Sequence, residues 1–141
     1  MSKRTKAGRR SSFRRWADSM PGMGLFARAW RNLRLIEQTE DFGDAGPCGE
    51  LAKMRALLNG LQRACAGRPT PPHGPLATLT ADDDLALEWK WPGGLVIVVV
   101  GPDAQGAPPW RVYWRLGETY GHKLLWGADP PVDRVVSLVC S

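Results

Sequence analysis

The sequence predicts an α+β fold, with N-terminal helices packed on a small antiparallel β-meander of three to five strands and a short C-terminal helix. Three observations carry that expectation. From Leu85 to Leu116 apolar and polar residues alternate in runs broken by glycine and proline, the period-two pattern of strands with one wet face. Leu51, Met54, Leu58, Leu61 and Cys65 recur at spacings of three and four, the pattern of a helix with one buried stripe. Arg68 to Pro75 (RPTPPHGP) separates the helical half from the β-rich half, because proline fixes φ and holds its neighbour extended.

Taken in chain order, residues 1–20 form a basic leader. Its first twelve residues (MSKRTKAGRRSS) are too polar and charged to bury a core, and so are expected to be disordered. Ser12 is placed to cap a short helical turn through Met20, ended by Pro21-Gly22. Residues 21–141 are expected to form one domain, helical over 21–67, a linker over 68–75, β-rich over 76–128 and helical again over 130–140. A first helix spans about Met23 to Gln38, with Phe26, Trp30, Leu33 and Ile36 on one stripe and Arg28, Arg31 and Arg34 off it. After a turn-rich break, Pro47 sits where a helix tolerates proline, and Gly67 is placed to stop that second helix. Gly60 inside it weakens the helix intrinsically and so marks close packing against another element.

In the C-terminal half, Leu76 to Leu79 is a short first strand and Asp82-Asp83-Asp84 a turn. Leu85, Leu87, Trp89 and Trp91 alternate with Ala86, Glu88 and Lys90, and Pro92-Gly93-Gly94 turns the chain. Leu95 to Val100 is a continuous β-branched run, expected of a central strand with both faces largely covered. A hairpin loop (residues 101–109) leads to Trp110, Val112, Trp114 and Leu116, which alternate with Arg111, Tyr113 and Arg115. Gly117 to Gly121 is expected to be a loop, with a further short strand from His122 to Trp126. Pro130-Pro131 opens a last helix whose stripe is Val132, Val135, Val136 and Val139.

The net charge of +5 conceals an asymmetry. Residues 1–34 hold ten Lys/Arg against one Asp, whereas the remaining residues hold nine basic and thirteen acidic groups. A basic segment of this kind offers nucleic acid a salt-dependent, sequence-independent contact. It also fits a solvated tail, or a reading frame that truly starts at Met20 or Met23. No window reaches the roughly 18 consecutive apolar residues of a membrane span, and no apolar run follows the leader's arginines as a signal peptide requires. Three cysteines without a C-x-x-C pair (Cys48, Cys65, Cys140) favour a reducing cytoplasm and structural thiols.

No catalytic, cofactor or metal constellation stands out. His73, His122 and the cysteines lack the close pairing of structural zinc ligands. Asp82-Asp83-Asp84 lacks the spacing of a calcium loop, and the glycines form no phosphate-binding motif. Cys48, near a helix start where the dipole lowers thiol pKa, would need a histidine base that the sequence does not place beside it. The four tryptophans on the two long strands fall on one face and belong to the core, whereas Lys90, Arg111, Tyr113 and Arg115 fall on the other. Tyr and Arg are enriched where proteins bind each other.

Residues 41–116 resemble a loosely defined set of small bacterial and mobile-element proteins. The matching pieces are Asp44-Ala45-Gly46-Pro47, the helix to Cys65, Pro69 to Pro75, and Leu87-Glu88-Trp89. The first of them lacks the tryptophan of that pattern. The resemblance implies an α+β fold and a bacterial or phage setting, and it carries no activity and no residue roles. The expectation is a non-enzymatic accessory or regulatory protein without cofactor or metal, binding another protein through Lys90, Arg111, Tyr113 and Arg115. The alternative is a nucleic-acid-binding protein using Arg9, Arg10, Arg14, Arg15, Arg28 and Arg31.

Overall fold

The computed structural model describes residues 23–39, 48–82, 84–101 and 106–140. The expected helical turn before Met20 lies outside them. Helix α1 spans Met23–Thr39 and α2 spans Cys48–Cys65. Five strands follow: β1 Leu76–Leu79, β2 Leu85–Trp91, β3 Gly94–Val100, β4 Trp110–Leu116 and β5 Thr119–Leu125. Helix α3, Val132–Val139, ends the described chain. The strands form one antiparallel sheet in sequence order, β1-β2-β3-β4-β5. Each connection is a local hairpin, so the α+β arrangement expected from periodicity is the one observed.

Strand pleating sorts side chains between two faces, and cross-strand register makes the sorting consistent across the sheet. Trp89 pairs with Val96 and Val96 with Trp114, while Leu87 pairs with Val98 and Val98 with Val112. All of these lie on the inner face. The core cluster draws from the strands only residues of that parity: Ala77, Leu85, Leu87, Trp89, Val96, Val98, Val100, Trp110 and Val112. Against them pack Phe26, Ala29 and Leu33 of α1, Leu51, Met54, Leu57, Leu58 and Leu61 of α2, and Val135, Val136 and Val139 of α3. Thus α1 lies on β1, α2 on β2 and β3, and α3 on α2 and β3.

Trp89 ties three elements together. Its ring meets Phe26 of α1 edge-on, with centroids 5.5 Å apart and planes at 79°. Its indole N–H donates to the His73 carbonyl at 2.9 Å, so a buried donor is satisfied by the proline-rich segment. That segment is more than a spacer. Pro71 and Pro75 are buried, and Gly74 lies so close to the Leu25 backbone that a Cβ there would collide with its carbonyl. Gly60, where the sequence asked for close packing, faces Val132 of α3. Between α1 and α2, the Trp30 indole donates to Gln62 Oε1 at 2.8 Å, and Arg55 pairs with Glu37 at 2.6 Å on the half-exposed surface. An exposed ion pair of that kind contributes at most about 1 kcal/mol.

One expectation holds without a second helical layer, and one needs correction. Strand β3 was expected to be largely covered on both faces, and no residue of it is exposed, although the described helices pack on only one of those faces. On the other face Val99 is buried at 8% exposure, and Leu95 and Ile97 are partly buried. The correction concerns residues 117–121, expected to be a loop. Leu116 pairs with Thr119, so Gly117-Glu118 is a two-residue hairpin turn with Gly117 at φ +61°, and β5 runs seven residues from Thr119. Gly121 is a strand residue. The Trp114 indole lies across it on the inner face, filling the space a side chain would take.

Truncating the buried Trp89 (1% exposed) should therefore loosen α1, the proline-rich segment and β2 together. Trp89→Ala is expected to cost about 3–5 kcal/mol in urea unfolding. Trp89→Phe, which keeps most of the ring but loses the donor to His73, should cost clearly less. Loss of the Ala variant's stability by under 1 kcal/mol would contradict this packing.

Candidate binding face

The outer face of the sheet is a lattice set by register. One row across it reads Leu124, Arg111, Val99, Ala86 and Thr78. The next reads His122, Tyr113, Ile97, Glu88 and Leu76, and the third Tyr120, Arg115, Leu95 and Lys90. The apolar stripe of β3 runs through the middle. Tyrosine, histidine and arginine flank it on the β4–β5 side, and Glu88 and Lys90 on the β2 side.

Exposure on this face is substantial. Tyr120 is 75% exposed, Leu124 43% and Tyr113 39%. Trp126, immediately after β5, is 62% exposed. Tyr113 and His122 stack, with centroids 5.9 Å apart and planes within 20°. Cross-strand aromatic pairs of this kind stiffen a surface without burying it. Leu95, Tyr113, Arg115, Tyr120 and His122 line a shallow open depression at this end of the sheet. Three cations (Lys90, Arg111, Arg115) face a single anion (Glu88), so the face is net positive. The Arg111 Nε is shielded from solvent and has no hydrogen-bond partner among the described residues, which leaves that donor uncompensated.

Lys90, Arg111, Tyr113 and Arg115, singled out from sequence alternation, therefore do share one face. Tyr120, His122 and Leu124 join them, and sequence reasoning missed this because it read Gly121 as a breaker. The signal was present: Tyr120, His122 and Leu124 have the same period-two parity as Arg111, Tyr113 and Arg115. Strand β5 is the sheet's edge on this side. Lys123, on its inner-facing parity and exposed, is the kind of charge that discourages another strand from pairing there.

The second set of candidate residues is placed differently. Arg28 is exposed and Arg31 half-buried on α1, in the helical layer and not on the outer face. Arg28 lies beside the His73-Gly74 segment. Arg9, Arg10, Arg14 and Arg15 lie outside the described residues. The two histidines are both exposed and lie apart, His122 on the sheet's outer face and His73 in the segment next to α1. No group of three His, Cys, Asp or Glu among the described residues is arranged to hold a metal ion. Nor is any described helix long and apolar enough to cross a membrane. No protein-family model, curated protein or solved structure matches the chain.

The Tyr113–His122 stack is testable on its own. A double-mutant cycle of Tyr113→Ala and His122→Ala, read by urea unfolding, should return a coupling of about 0.2–1 kcal/mol. Strictly additive effects would mean that the two rings do not hold each other.

Proposed function

We propose that this is a small non-enzymatic accessory or regulatory protein that binds another protein through the outer face of its sheet. The observation that carries the reading is the partly buried apolar stripe of β3, flanked by the exposed Tyr113 and Tyr120 and by Arg111 and Arg115, on a face no described helix covers. Protein interfaces have this anatomy, an apolar centre with Tyr and Arg anchors and a polar rim. The rim's charge defines the partner's chemistry. With three cations and one anion, the face suits a surface or extended segment that pairs aliphatic or aromatic side chains with carboxylates. Arginine is suited to that task because its planar fork meets a carboxylate through two parallel bonds.

The second reading is nucleic-acid binding, and one specific observation favours it: the excess of nine positive charges in residues 1–34. It ranks lower because Arg28 and Arg31 sit in the helical layer, away from the exposed tyrosines that could stack bases.

A display library of random peptides panned on the full chain discriminates the two. Selected peptides should be rich in Asp/Glu and large apolar residues, and should shift the amide resonances of β3, β4 and β5. The double variant Arg111→Glu/Arg115→Glu should weaken them at least about tenfold, in line with loss of interfacial charge pairs. Peptides that instead perturb the helical layer, or no selection at all, would overturn the protein-binding reading. In parallel, random DNA and RNA oligonucleotides are titrated at rising salt. Binding that falls steeply with salt and is lost on deleting residues 1–19 would favour the second reading, while salt-insensitive or absent binding counts against it.

A further inference from the structure

Helices α2 and α3 meet at both ends of α3. At its start, Val132 fills the space above Gly60. At its finish, the Cys140 Sγ lies 3.8 Å from the Cys65 Sγ. Both are free thiols on residues far apart in sequence, brought together by tertiary packing alone. A disulfide needs sulfurs about 2.05 Å apart, so about 1.8 Å of further approach is required. Cys140 can supply that movement: it follows the last helical turn as its C-cap, with φ −102° and ψ 49°. We propose that Cys65 and Cys140 form a disulfide by exchange with a low-molecular-weight disulfide, fastening the end of α3 to the end of α2.

The two thiols have unequal roles. Cys65 is buried, and burial together with the neighbouring Cys140 pushes its pKa up to about 12. Cys140 is only half-buried and meets the reagent first. Its thiolate attacks one sulfur of the small disulfide, forming a mixed disulfide and releasing one small thiol. Cys65 then gives up its proton and attacks the Cys140 Sγ, expelling the second small thiol. One disulfide is consumed, one is formed and two thiols are released, so atoms and electrons balance. The third cysteine is not a competitor within the helix. Cys48 opens the same 18-residue α2 that Cys65 closes, about 25 Å away along the axis.

The bond would close a loop of about 75 residues and tie down a helix of only eight. Constraining the unfolded chain in this way stabilises the oxidised form. The test treats the folded full chain with oxidised glutathione, blocks remaining thiols with an alkylating reagent, and maps the peptides by mass spectrometry. The expected result is a peptide pair linked through Cys65 and Cys140, with Cys48 alkylated. Oxidised protein should melt about 5–15 °C higher than reduced protein. Dithiothreitol should abolish the shift, and Cys140→Ser should lack it while melting near the reduced wild type. Alkylation of both Cys65 and Cys140, a stable glutathione adduct at Cys140, or a link through Cys48 would overturn the proposal. Peptide mapping decides the question independently of whether the Cys140→Ser variant folds.

Discussion

The indole of Trp89 is the constraint on which the two-layer arrangement depends. A ring this large is stable in the interior only if its apolar area is covered and its one N–H is paired. Phe26 supplies part of the cover and the His73 carbonyl accepts the hydrogen bond. Those two partners lie on elements far apart in sequence. By holding both, β2 fixes where α1 enters the fold and how the proline-rich segment crosses from α2 to β1. Leu87, Val98 and Val112, on the same parity, then continue the apolar surface under α2 and α3.

The described helices pack on one side of the sheet, and the other side presents the outer-parity side chains of the strands. The outer face is neither a solvated polar surface nor a second core. Ala86 and Val99 are buried, Leu95 and Ile97 are partly buried, and Tyr113, Tyr120 and Leu124 are exposed. The cations on β4 are spaced by a tyrosine, so like charges are separated across the strand. The apolar area this face does expose, at Tyr113, Tyr120 and Leu124, lies beside the apolar stripe of β3, the setting in which a surface patch takes a partner.

Much of this architecture was legible in the sequence, and the exceptions have physical causes. Strand and helix periods placed α1, α2, β1, β2, β4 and α3 within a residue or two, because each carries an uninterrupted apolar stripe. Gly60 was correctly read as a packing residue, since a helix-weakening glycine needs a steric reason and Val132 provides it. Strand β5 was shortened because Gly121 resembles a breaker when only its own strand is considered. Its role becomes visible only through Trp114 on the partner strand. The continuous β-branched run of β3 was read as largely covered on both faces, and its burial agrees, but such a run does not say which of its faces a helix reaches. The arginine-tyrosine strip was found from alternation alone, but its extension through Tyr120 and His122 required the register of β5.

Hydroxyl-radical footprinting of the isolated chain tests the central claim, that the helices cover the tryptophan face while the tyrosines of the opposite face stay exposed. After correction for intrinsic reactivity, Tyr113, Tyr120, His122 and Leu124 should be labelled readily, while Trp89, Trp110, Phe26 and Leu87 stay protected. Protection of Tyr113 and Leu124 as strong as that of Trp110 would contradict the account, because it would mean that the outer face is already covered.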